Sequence, residues 1–138
     1  MNRHSYHFDT YNVEIERAVE EACRNMLERT GGKGFPILMD DDVSLSNVVA
    51  AVQRVVGPST LLYTCKNGRQ KEEATEAEVE EWVRRWKRGE ETRVLLTDTS
   101  TSKGWEARCL VAIGCHSPEN LVMRACAFCI LIQVIQLD

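Results

Sequence analysis

Arg93-Val94-Leu95-Leu96-Thr97-Asp98-Thr99-Ser100-Thr101-Ser102-Lys103-Gly104-Trp105-Glu106-Ala107 is the stretch on which the fold turns. Val94 to Thr97 is short and mostly apolar, the length of a buried strand and too short for a helix. The segment that follows is polar and rich in hydroxyls, which suits a loop. After Ser102-Lys103-Gly104-Trp105-Glu106 comes a second apolar run, Cys109 to Gly114. Strands that are apolar throughout belong to sheets covered on both faces.

Working outward, three more apolar runs fit the same role: Phe35 to Met39, Leu61 to Cys65 and Ala127 to Ile135. Helical patterns separate them. Tyr11 to Arg29 is amphipathic, with Ile15, Ala18, Val19, Ala22 and Met26 on one stripe, and Thr30-Gly31-Gly32 stops it. Ser46 to Val56 turns Val49, Val52, Val55 and Val56 inward, and Gly57-Pro58 ends it. Thr75-Glu76-Ala77-Glu78 is a capping-box pattern, in which side chains satisfy otherwise unpaired backbone N–H groups. Val79, Trp82, Val83 and Trp86 follow at helical spacing and are expected to face the core, before a glycine, Gly89, at the helix end. Ser117-Pro118 fits the start of a short helix.

Strands alternating with helices predict a three-layer α/β/α sandwich on a mostly parallel, five-stranded sheet. Residues 1–138 read as one domain, a length that can bury a core without cross-links. Residues 1–30 read as an N-terminal helical extension over one edge, with Gly31 to Gly34 as the boundary.

The composition is that of a globular protein, 43% hydrophobic and 28% charged. A net charge of −4 gives no general attraction to nucleic acid or anionic membrane. Arg84, Arg85, Lys87 and Arg88 lie among Glu72, Glu73, Glu76, Glu78, Glu80 and Glu81, the pattern of a solvated helix face. Met1 to Tyr11 is polar and carries no secretory signal, and no apolar run is long enough to span a bilayer. The six cysteines lie mostly in apolar runs, where a free thiol behaves as a small core residue. These features point to an intracellular, cytoplasmic protein, with the nucleus left open.

Taken together with Asn120-Leu121-Val122-Met123-Arg124-Ala125-Cys126, the opening stretch resembles the second RecA-like domain of superfamily-1 helicases. There a Ser-Lys-Gly-Leu-Glu loop and a Thr-Arg-Ala helix line a shared nucleotide site. The resemblance covers about a third of the chain and implies a RecA-like, P-loop-NTPase-like fold. Carried over by position, it makes Ser102, Lys103, Gly104, Glu106 and Arg124 the candidate nucleotide-site residues. Gly104 permits tight packing, Glu106 corresponds to the acid that contacts the nucleotide sugar, and Arg124 to the arginine that reaches the γ-phosphate, a role suited to a permanently charged planar donor. Trp105 replaces the usual leucine and Met123 the usual threonine. No Gly-x-x-x-x-Gly-Lys-Ser/Thr occurs; Gly31-Gly32-Lys33-Gly34 is too short to cradle phosphates and precedes a strand. The implied protein is a non-catalytic interaction or regulatory module with a degenerate nucleotide site. It works with a protein partner or an adjacent domain and needs no cofactor of its own. ATP enters only if a partner domain completes half an ATPase.

Two other constellations carry chemistry. Asp40-Asp41-Asp42 follows an apolar run, and carboxylates there suit Mg²⁺. Asp40 and Asp42, with Thr64 after the next strand, resemble haloacid-dehalogenase-like phosphotransferases, where the first acid is a nucleophile and the second a general acid. Asp98 and Lys103 are the nearest candidates for the remaining lysine and acid. Acids before a helix also simply favour its positive end, and that reading is preferred. Cys126-x-x-Cys129, with only Cys115-His116 beside it, is too little for a zinc site. His4, His7 and His116 are too scattered to form a catalytic set.

Overall fold

The computed structural model describes residues 4–11, 14–39, 45–63, 74–98, 109–114 and 128–135. Their order is β1 (His4–Tyr11), α1 (Ile15–Thr30), β2 (Pro36–Met39), α2 (Leu45–Val56), a 3-10 turn (Pro58–Thr60), β3 (Leu61–Tyr63), α3 (Glu76–Lys87), β4 (Val94–Asp98), β5 (Cys109–Ile113) and β6 (Phe128–Ile135). One six-stranded sheet runs β1-β6-β5-β2-β4-β3, and every pairing in it is parallel.

All four residues of β2 and all five of β4 are buried, because helices cover both faces. The pleat sorts their side chains. Ile37, Met39, Val94, Leu96, Val111, Ile113, Ile130 and Ile132 join the core formed with α1 and α2. Leu95 packs on the opposite face with Val79 and Trp82 of α3, while Leu38, Leu110 and Ala112 pack there beside Trp86. The layers are thus α1 and α2, the sheet, and α3.

Helix ends follow their sequence signals. Thr75 Oγ1 accepts the Glu78 backbone N–H at 3.2 Å, and Glu78 Oε1 accepts the Thr75 N–H at 3.1 Å, closing the capping box. Gly31 adopts the left-handed conformation, φ 68°, that ends α1, and the Gly32 N–H then reaches the Leu27 carbonyl at 2.9 Å. In α3, Val79 and Trp82 are buried, whereas Val83 and Trp86 are half-buried and pack on the core margin.

Two expectations need correction. Among the described residues the sheet has six strands, one more than the five expected: His4–Tyr11 pairs along its whole length with β6, so the first helix starts at Ile15 and not at Tyr11. The strand is set by pairing with a segment more than a hundred residues away, which local periodicity does not report. Nor is α1 an extension over an edge. Ile15, Ala18, Val19, Ala22, Cys23 and Met26 belong to the largest core cluster, and Arg54 of α2 bonds Glu16 at 2.8 Å across the two helices. Among the described residues no helix is long and apolar enough to cross a membrane.

Candidate functional site

β2, β4 and β5 lie side by side at the middle of the sheet. Their carboxyl ends are level: Met39 is the register partner of both Asp98 and Ile113. After β2 the chain moves to β3 at one edge; after β4 it crosses to β5, on the other side of β2. Adjacent strands whose continuations diverge leave a crevice beyond their carboxyl ends, where open α/β sheets take ligands.

Polar groups stand at this edge despite full burial. Asp98, the last residue of β4, is only 5% exposed, and Thr97 is completely buried. Thr97 Oγ1 has no hydrogen-bond partner among the described residues, and an unsatisfied buried hydroxyl is uncommon.

Ser102, Lys103, Gly104, Glu106 and Arg124 lie outside the described residues, as do Asp40, Asp42, Thr64 and Cys126. Their points of departure are nonetheless fixed. Asp40 follows Met39 directly, the Ser102–Glu106 segment continues from Asp98, and Arg124 precedes β6. Thr64 follows Tyr63, but β3 does not pair with β2, because β4 lies between them. The strand ends behind Asp40 and Thr64 are therefore two strand spacings apart laterally, about 10 Å, and β3 ends two residues short of β2 in register. Beside the end of β2 stand Asp98 on one side and Ile113 on the other.

The sequence reading passed over a second polar centre, at the amino edge. Glu91 has a side chain only 1% exposed. It accepts bonds from Arg93 Nη2 at 2.8 Å and Nε at 3.1 Å, and from the backbone N–H groups of Thr92 and Arg93 at 2.9 Å each. Arg85 Nε approaches to 3.5 Å. Burial alone pushes the Glu91 carboxyl pKa up; the bonds from Arg93 and Thr92 outweigh this and hold it below the ordinary value. The Glu91 carbonyl accepts the Gly34 N–H at 2.9 Å, tying the approach to β2 to the approach to β4. A lone Glu-x-Arg spacing just before a strand was the available signal, and it is too common to stand out.

No protein-family model matches the sequence, and no curated protein matches it.

Proposed function

We propose that this domain is a non-catalytic, helicase-C-like module that acts by docking on a protein partner or an adjacent domain of a larger chain. The strand order carries this reading. The chain that leads on to Ser102–Glu106 leaves the sheet at the carboxyl end of β4, beside β2, and that point of departure supports the reading. In the family it resembles, the corresponding loop and arginine helix approach the cleft where the first RecA-like domain docks.

Turnover does not come with that geometry. Phosphoryl transfer needs the phosphates and Mg²⁺ held in place before an arginine from across a cleft can act. This sequence has no phosphate loop to hold them. The test is phosphate release from ATP and Mg²⁺ by the purified chain. None is expected; steady turnover that disappears in Arg124→Ala would sink the proposal.

One observation favours a second reading, an Mg²⁺-dependent phosphotransferase built on Asp40 and Asp42. Asp98 ends the strand adjacent to the one that Asp40 follows directly in sequence. Thr64 follows a strand one further away and fits this reading less well. Hydrolysis of p-nitrophenyl phosphate that requires Mg²⁺ and is lost in Asp40→Asn would favour it over the docking module.

A further inference from the structure

At the amino edge of the sheet, opposite the crevice just described, a recess of about 300 Å³ opens between the ends of α1 and α3. Arg29, Lys33, Trp86, Gly89, Glu91 and Cys109 line it. Its volume stands at the lower end of the range occupied by small-molecule sites.

Its charge balance is positive. Arg29 is held over the ring of buried Phe128, 4.1 Å from the centroid. Lys33 Nζ donates to the Gly89 carbonyl at 2.7 Å. Arg24, Arg54, Arg84, Arg85 and Arg93 all have carboxylate partners, but neither Arg29 nor Lys33 has one within 4.0 Å among the described residues. The opposing charges are largely spent. Glu91 is neutralised by Arg93 and Arg85. Helix carboxyl ends ordinarily repel anions. Here the Gly32 N–H occupies the Leu27 carbonyl, the Gly89 N–H that of Trp86, and Lys33 that of Gly89. Glu28 lines an adjoining recess that shares Arg29.

Trp86 lines the same recess as these cations. Trp86 is half-buried and stacked on Trp82, with centroids 5.2 Å apart, so its ring is held in place. Two fixed cations beside a fixed indole form an amphiphilic cleft. We propose that this recess binds a small organic anion, its flat apolar body against Trp86 and its carboxylate or phosphate between Arg29 and Lys33. The cations supply charge-assisted hydrogen bonds, and the indole supplies stacking.

The test is isothermal titration of the full chain with 2-naphthoate, 2-naphthyl phosphate and, as the uncharged control, 2-naphthol. Saturable binding of at least one acid, about tenfold or more tighter than naphthol, is expected from one charge-assisted bond. Whichever acid binds tighter names the head group. Arg29→Gln and Lys33→Gln should each weaken the acid by about tenfold, while Lys33→Arg, which keeps the charge, should retain it. Arg24→Gln, on the same helix but paired with Glu20, should change nothing. Circular dichroism checks that each variant is folded; Arg29 is exposed, so its variant remains informative if Lys33→Gln destabilises the end of α3. Equal binding of naphthol and the acids, no saturable binding of either acid, or undiminished binding in the folded Arg29→Gln protein would overturn the site.

Discussion

The indole N–H of Trp82 donates a 2.7 Å hydrogen bond to the backbone carbonyl of Arg93, joining the middle of α3 to the residue that precedes β4. Trp82 is wholly buried, so the bond satisfies a donor that has lost access to water. The same contact sets where β4 begins relative to the helix that covers it.

Trp82→Phe should lose that bond and leave the Arg93 carbonyl short of a partner, at a cost of about 1–3 kcal/mol. Trp82→Ala should cost about 3–5 kcal/mol, since it also leaves a cavity against Leu95. Urea denaturation followed by far-ultraviolet circular dichroism measures both. An unchanged midpoint for Trp82→Ala would mean that the tryptophan stripe is not part of the core.

Gly34 and Gly31 should respond differently to alanine. A Cβ at Gly34 would stand 2.1 Å from the Arg93 carbonyl oxygen, a backbone atom that cannot turn aside. A Cβ at Gly31 meets nothing within 4 Å, and the strain there comes only from φ +68°. Gly31→Ala should therefore cost about 1–2 kcal/mol, and Gly34→Ala should reach or exceed the upper end of the usual 1–3 kcal/mol overpacking range, about 3 kcal/mol. Equal melting temperatures for the two variants would contradict the close approach.

Glu91 should give the protein an acid-labile component of stability. Its folded pKa lies below the ordinary 4.5. A carboxyl lowered on folding stabilises above its unfolded pKa, and that contribution is lost as pH falls through the folded value. At neutral pH, Glu91→Gln should destabilise by about 2–3 kcal/mol, because Arg93 and Arg85 lose their buried counter-charge. The gap between the two proteins should begin to narrow as pH falls below the ordinary carboxyl value and close as it passes the folded one. Thermal melts across that range test this; a gap that stays constant would assign Glu91 no linked proton.

Cys23 should be unreactive in the folded protein. Burial, reinforced by Glu20 and only partly offset by Arg24, pushes its thiol pKa up to about 12, and no part of the residue is exposed. The thiolate is the reactive form, so alkylation at mildly alkaline pH should reach Cys23 only on unfolding. Half-buried Cys109 should label earlier. Peptide mapping by mass spectrometry distinguishes the two, and native labelling of Cys23 before Cys109 would contradict its placement.

Elements whose signals are local can be read directly from the residues. The stripe from Ile15 to Met26, the capping box at Thr75 and Glu78, and the short apolar runs of β2, β4 and β5 each record which side chains must leave water. Together they implied a parallel sheet between helices, because strands apolar on both faces need cover on both. The candidate site was legible only as residue types in a suggestive order. Pairing decided the rest. Within His4–Tyr11 only the alternation of Tyr6, Phe8 and Thr10 with His7 and Asp9 points to a strand; the pairing with β6 decides it. Nothing local places β4 between β2 and β3, yet that insertion separates the strand ends behind Asp40 and Thr64 and puts Asp98 beside Met39. Glu91 looks like an exposed acid with a nearby Arg93; only the packing of α3 against the sheet adds Arg85 and buries the carboxylate. Periodicity reports one element at a time, whereas strand order depends on which distant segments meet, and the burial of a charge on how the elements then pack.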